Sequence, residues 1–183
     1  VKRAYAPVSA SFKPVAGRFE LWVVNDTLES YEDQLTLGQG RFTGEVLYEE
    51  TLDVSIPPNS ARRVTRIHRA GLSNLPSETY LYVHSGRRGF PSNRLFLTEV
   101  KDLRRPPPGI AVEKRSVSDH EIEIQLSSDQ FVYFLKLECP IDGTRYSDNY
   151  LDLFPGSPVV VRVWNALGRA IRADDIAVST LAV

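Results

Sequence analysis

The feature that most constrains this chain is an apolar alternation with a period of two, which runs through nearly all of it and restarts after three prolines, Pro106 to Pro108. Such alternation puts successive side chains on opposite faces of an extended backbone, so each run reads as a strand with one face buried. In "RFELWVV" Phe19, Leu21 and Val23 point one way while Glu20, Trp22 and Val24 point the other; in "HEIEIQL" Ile122, Ile124 and Leu126 alternate with Glu121, Glu123 and Gln125. "SASFKPV", "QLTLGQGRF", "EVLYEETLDVSI", "SARRVTRIH", "TYLYVHS" and "RLFLTEV" continue the first series, and "GIAVEKRSV", "FVYFLKLEC", "SPVVVRVWN" and "DIAVSTLAV" the second. Turn formers such as Asn25-Asp26, Pro57-Pro58-Asn59 and Ser85-Gly86 separate them. Strands spaced about 8 to 12 residues apart predict an all-β protein of sandwiches, not a βαβ fold. Only "RAGLSNLPSE" accommodates a helical turn, and Pro76 keeps it short.

Consecutive prolines cannot donate ladder hydrogen bonds and favour extended polyproline geometry. "KDLRRPPPG", residues 101–109, therefore predicts a linker between a domain at 1–103 and a smaller one at 104–183. The second is near the lower size limit for a fold without disulfide or metal, so it is expected to lean on a neighbour.

The 22 Lys and Arg balance 23 Asp and Glu, giving a net charge of −1 with no long run of one sign. That argues against a nucleic-acid partner, and no apolar stretch approaches the roughly eighteen residues of a membrane span. Cys139 is the only cysteine, so no internal disulfide forms, and its apolar setting predicts a buried, inert thiol. No leader pattern occurs near Val1. The complete absence of methionine predicts a piece of a longer protein.

Motifs for chemistry are missing. Most carboxylates alternate with apolar strand residues or sit in turns, as Glu121, Glu123, Asp26 and Asp142 do, which predicts solvated faces and caps. There is no G-x-S-x-G elbow, and His68, His84 and His120 lie far apart without zinc-ligand spacing. "GQGRFTG" offers G-x-G between strands rather than before a helix, so it is not a dinucleotide cradle. No catalytic residue, metal site or cofactor is expected.

One stretch stands out, "RYSDNYLDLFPGSPVVVRV", Arg145 to Val163. Asp148, Asn149 and Asp152 do not follow the EF-hand spacing. A short loop of Ser, Asp and Asn suits side chains that cap backbone N–H groups, with Pro155-Gly156 as a tight turn before a strand. Asp148 and Asn149 are then expected to be largely buried and bonded to backbone.

"YSDNYLDLFPGSPVVVRV" closely resembles the F-S-D-N-Y-F-D-L-L-P-G-E-P-V-x-V-x-V signature of the last immunoglobulin-like domain of β-mannosidases in glycoside hydrolase family two, departing from it at Leu151 and Phe154. "LWVVNDTLESYEDQLTL" is similar to the opening of their penultimate immunoglobulin-like domain, and "KRAYAPV", Lys2 to Val8, looks like the exit from their catalytic barrel. The resemblance implies two tandem immunoglobulin-like β-sandwiches whose partner is a (β/α)8 barrel of the same parent chain. In that family both catalytic glutamates lie on the barrel, the acid/base one in an Asn-Glu dipeptide, and this chain has no such dipeptide.

Tyr146, Asp148, Asn149, Tyr150, Pro155 and Gly156 form the signature loop. Two classes of function stay open: a non-catalytic scaffold for the barrel, or a carbohydrate-binding module that stacks sugar on Trp22, Tyr146 or Tyr150. Surface adhesion is a third reading that rests on the fold alone.

Overall fold

The computed structural model describes residues 5–181, so Lys2, Arg3 and Ala4 of the barrel-exit resemblance and the last two residues of "DIAVSTLAV" lie outside it. The chain divides into two compact units. One takes the residues up to Arg41 together with Glu45–Arg104; the other takes Phe42–Gly44 and the chain from Arg105 onward.

The first unit has β1 (Val8–Val15), β2 (Arg18–Asn25), β3 (Tyr31–Arg41), β4 (Val46–Ile56), β5 (Ser60–His68), β6 (Thr79–Ser85) and β7 (Asn93–Phe96). They form a three-stranded sheet, β1-β2-β5, and a four-stranded sheet, β4-β3-β6-β7, antiparallel throughout. Leu21 and Val23 from one sheet and Leu35, Leu37 and Val83 from the other are buried together, as the alternation requires of two inner faces. A 3-10 turn at Arg69–Gly71 falls where the sequence allows one, but Val100–Asp102 and Ala173–Asp175 form further 3-10 turns, so that stretch is not alone in holding a helical turn. Each is a single turn of three residues, too short to show a helical period.

The second unit has β8 (Ala111–Ser118), β9 (Glu121–Ser127), β10 (Val132–Glu138), β11 (Thr144–Tyr146), β12 (Leu151–Leu153), β13 (Val159–Asn165) and β14 (Ala177–Ser179). Sheets β11-β13-β9-β8 and β12-β10-β14 enclose Ile122, Ile124, Leu126, Leu135, Leu137, Leu151, Leu153, Val161 and Val163. Fully burying each of these side chains stabilises by about 1.5–3 kcal/mol, which is how so small a unit holds a core. Among the described residues, both units are thus seven-stranded sandwiches.

Three further expectations are corrected. The signature loop is not a bare turn, because it contains β11 and β12, each three residues long and too short to show periodicity. Cys139 is half-buried against the core edge rather than sealed within it. Asp148 and Asn149 are also only half-buried: Asn149 bonds the backbone of β10, and Asp148 accepts from the Asn149 N–H within the loop itself.

Candidate functional site

The signature loop runs along one edge of β10. The Asn149 carboxamide accepts from the Leu137 N–H at 2.8 Å and donates to the Leu137 carbonyl at 2.9 Å, so it pairs with β10 as a neighbouring peptide would. Its Oδ1 also accepts from the Tyr150 N–H at 2.9 Å, and Asp148 Oδ1 accepts from the Asn149 N–H at 2.9 Å. Beyond β12, Ser157 N–H bonds the Phe154 carbonyl at 3.1 Å, with Pro155 and Gly156 at the turn centre and Gly156 at φ 66°. Proline followed by a residue of positive φ is the type II requirement. Phe154 packs edge-on to Phe131, ring centroids 5.4 Å apart.

Opposite this loop β10 carries a bulge. Val132 pairs with Leu153 and Leu135 with Leu151, so Tyr133 and Phe134 together face the single residue Asp152, whose Oδ1 accepts from the Phe134 N–H at 3.0 Å. The bulge turns Phe134 outward, where it lies 5.2 Å from the Tyr150 ring; Tyr133 follows at 5.7 Å, with the Arg105 guanidinium over its own ring at 5.0 Å. Phe134 and Tyr150 are both exposed, and both have left-handed backbones, φ 55° and 56°.

The other aromatic candidates lie elsewhere. Tyr146 is half-buried against the core, and burial pushes its phenol up. Trp22 is half-buried on the outer face of β2, its indole N–H donating to Glu20 at 3.1 Å. Trp164 is on the outer face of β13, paired with Arg145 and Glu121, while Val161 and Val163 point inward.

The buried carboxylates among the described residues are Glu20 and Asp33. Arg18, Arg63 and Arg66 surround Glu20 at 3.3–3.7 Å. Burial pushes the Glu20 carboxyl up, but the Trp22 hydrogen bond and the three guanidinium groups outweigh it and hold the group below its ordinary value. Asp33 accepts from Tyr31 and Ser85 hydroxyls and from the backbone N–H of Gln34 and Arg87. Here too burial acts upward and the hydrogen bonds win. A glycosidase general acid needs the opposite shift. A cleft of about 200 Å³ in the first unit is lined by Leu37, Tyr48, Glu50, Arg66, His68 and Leu81. Among the described residues, no group of three or more His, Cys, Asp or Glu could hold a metal ion.

Phe134, Tyr133 and Arg105 were not singled out by the sequence. Strict alternation along "FVYFLKLEC" puts Val132 and Phe134 on one face, yet Val132 is buried and Phe134 exposed. Nothing in the run marks the bulge.

Residues 17–102 match the family described as the mannosidase Ig/CBM-like domain, and residues 106–182 match an Ig-fold domain family. No curated protein is similar to the chain. Among solved structures, the β-D-mannosidase of Dictyoglomus thermophilum is similar with a TM-score of 0.84 at 17% identity, covering 98% of this chain and 22% of that one. The exo-chitosanase of Amycolatopsis orientalis is similar with a TM-score of 0.59 at 13% identity, covering 98% of this chain and 26% of that one. An E541A form of that enzyme in complex with PNP-β-D-glucosamine matches at 0.60 with 12% identity, over 98% and 27%. The chain therefore spans about a quarter of the length of these enzymes or less.

Proposed function

The chain is a tandem of mannosidase-family immunoglobulin-like domains, and from that premise we propose that it is a non-catalytic accessory part of a larger retaining β-mannosidase, packing against a (β/α)8 barrel of the same parent chain. The barrel supplies the acid/base and nucleophilic glutamates that release β-linked mannose through a glycosyl-enzyme intermediate. The sandwiches stabilise it.

The observation that carries this reading is the state of the two buried carboxylates. Glu20 is enclosed by three arginines and Asp33 by four hydrogen-bond donors of its own unit. Both are ionised at neutral pH. Neither is placed or protonated to give a proton to a glycosidic oxygen.

The test is to incubate the 183-residue chain with nitrophenyl β-mannoside and nitrophenyl β-glucosaminide. The expected outcome is no hydrolysis above buffer. Turnover that survives repurification, and is lost with Glu20→Gln or Asp33→Asn, overturns the reading.

A further inference from the structure

We propose that the exposed ring pair Phe134–Tyr150 on the second unit, flanked by the half-buried Tyr133, is a carbohydrate-binding platform that takes a neutral β-linked oligosaccharide of hexopyranose units. This goes beyond the scaffold role, since a scaffold requires no aromatic surface at this position; the β-linked sugar class rests on the mannosidase reading, while the ring surface does not.

Four observations converge. First, the exposed rings of Phe134 and Tyr150 are neighbours, with centroids 5.2 Å apart and planes tilted by 41°, and the half-buried Tyr133 ring extends the series at 5.7 Å and 44°. Aromatic faces are electron-rich, and the axial C–H groups of a pyranose present a complementary, weakly positive face.

Second, the platform is held at a cost in backbone strain. Phe134 and Tyr150 both occupy the left-handed region, which glycine enters freely and bulky side chains avoid. Strained residues next to a bulge belong to functional surfaces more often than to plain fold. The fold could place glycine at either position. What it would lose is the ring.

Third, the backbone that carries the two exposed rings is fixed before any ligand arrives. Asp152 holds the Phe134 N–H and Asn149 the Tyr150 N–H, so little backbone entropy is left to lose on binding.

Fourth, the rim has the polar groups that sugar hydroxyls require. Lys136 and Glu138 form an ion pair two and four residues beyond Phe134 on the same strand, and Arg105 and Asp152 border Tyr133. Charges of both signs are mixed, which disfavours polyanions. Two exposed rings, at about 150–250 Å² each, are also far short of the roughly 1,000 Å² that a stable protein interface buries, which favours a sugar over a protein partner.

The experiment titrates the 183-residue chain with mannohexaose, following amide and aromatic NMR shifts. Saturable shifts centred on Phe134 and Tyr150, with a Kd on the order of a millimolar, are expected. Phe134→Gly and Tyr150→Gly relieve backbone strain, so both variants should fold with melting temperatures close to the parent while binding about tenfold more weakly. Phe134→Tyr and Tyr150→Phe keep a ring and should keep the affinity. Silence at tens of millimolar ligand overturns the proposal. So does binding that both glycine variants leave unchanged, which would assign the sugar to another surface.

Discussion

The side chain of Asn149 hydrogen-bonds both the N–H and the C=O of Leu137, at 2.8 and 2.9 Å, twelve positions earlier in the chain. One carboxamide thus does the pairing of a strand residue at a point where β12 has not yet begun. Asn149→Ala leaves two backbone groups of β10 without a protein partner and should lower stability by about 2 kcal/mol, a fall of roughly 10 °C in melting temperature. Asn149→Asp keeps the acceptor but turns an oxygen toward the Leu137 carbonyl. That carboxyl should titrate above its ordinary value, so the stability gap to wild type should narrow as pH falls through it. Parallel thermal melts of the two proteins between neutral pH and pH 4 would show the gap narrowing, and a constant gap would contradict it.

Asn25 has the same part in the first unit and is fully buried. Its Nδ2 faces the carbonyls of Glu29, Ile56 and Pro57 at 2.8–3.1 Å, and its Oδ1 accepts from the backbone N–H and the hydroxyl of Thr27. Asn25→Asp sets a buried carboxylate against three carbonyl oxygens. A loss of about 3 kcal/mol is expected. Urea unfolding should show it as a lower midpoint with an unchanged slope.

Why the second-unit surface escaped the sequence while its core did not is a matter of range. Ile122, Ile124 and Leu126 announce their face because each strand residue answers only to its own pleat. Phe134 faces outward because of a register shift against β12, and Glu20 is buried because guanidinium groups reach it from β5 across the sheet. Both depend on pairing between distant segments, which no local pattern records. Asn149 is intermediate: its residue type predicted backbone capping, but which backbone it bonds follows only once β10 and the loop lie side by side.

Tyr31 and Asp33 give the first unit opposite pH limits. The Asp33 carboxyl is held below its ordinary value, so its contribution is full above about pH 3.9 and is lost as pH falls through the lower folded value. The Tyr31 phenol is pushed up to about 12, first by burial and then by its bond to Asp33. Its neutral form is the stabilised one, so that contribution is present below about pH 10 and is lost as pH rises toward 12. In an absorbance titration of tyrosinate, Tyr31→Phe should remove a late-ionising group, and Asp33→Asn should move that group back toward pH 10. A Tyr31 that ionises with the exposed tyrosines contradicts the assignment.

Glu20 and Trp22 supply a fluorescent reporter of the charge cage. In a Trp164→Phe background, emission from Trp22 should change as Glu20 protonates, with a midpoint below the ordinary glutamate value of about 4.3. The cage contributes stability above that ordinary value and loses it as pH falls through the lower folded one. Added salt should raise the midpoint, because screening weakens the attraction of Arg63, Arg18 and Arg66. A midpoint at 4.3 or higher, insensitive to salt, would mean the arginines do not act on Glu20.

Gly38 and Tyr82 explain why the G-x-G of β3 exists without a phosphate to bind. A Cβ at Gly38 would collide with the Tyr82 ring, on the neighbouring strand β6. That ring has little freedom to retreat. Tyr80 and His84 flank it at 5.8 and 5.0 Å, and its hydroxyl donates to Glu49 at 2.8 Å. Gly38→Ala should therefore displace the ring, break the bond to Glu49 and lower stability by about 2–3 kcal/mol. Tyr82→Ala removes the obstacle, so adding Gly38→Ala to it should cost little beyond the tyrosine's own loss. The displaced phenol gives a second readout: burial and then Glu49 push Tyr82 well above the ordinary tyrosine value, and Gly38→Ala should bring it back down. If the two substitutions instead add independently and the phenol does not move, the glycine is not there to seat Tyr82.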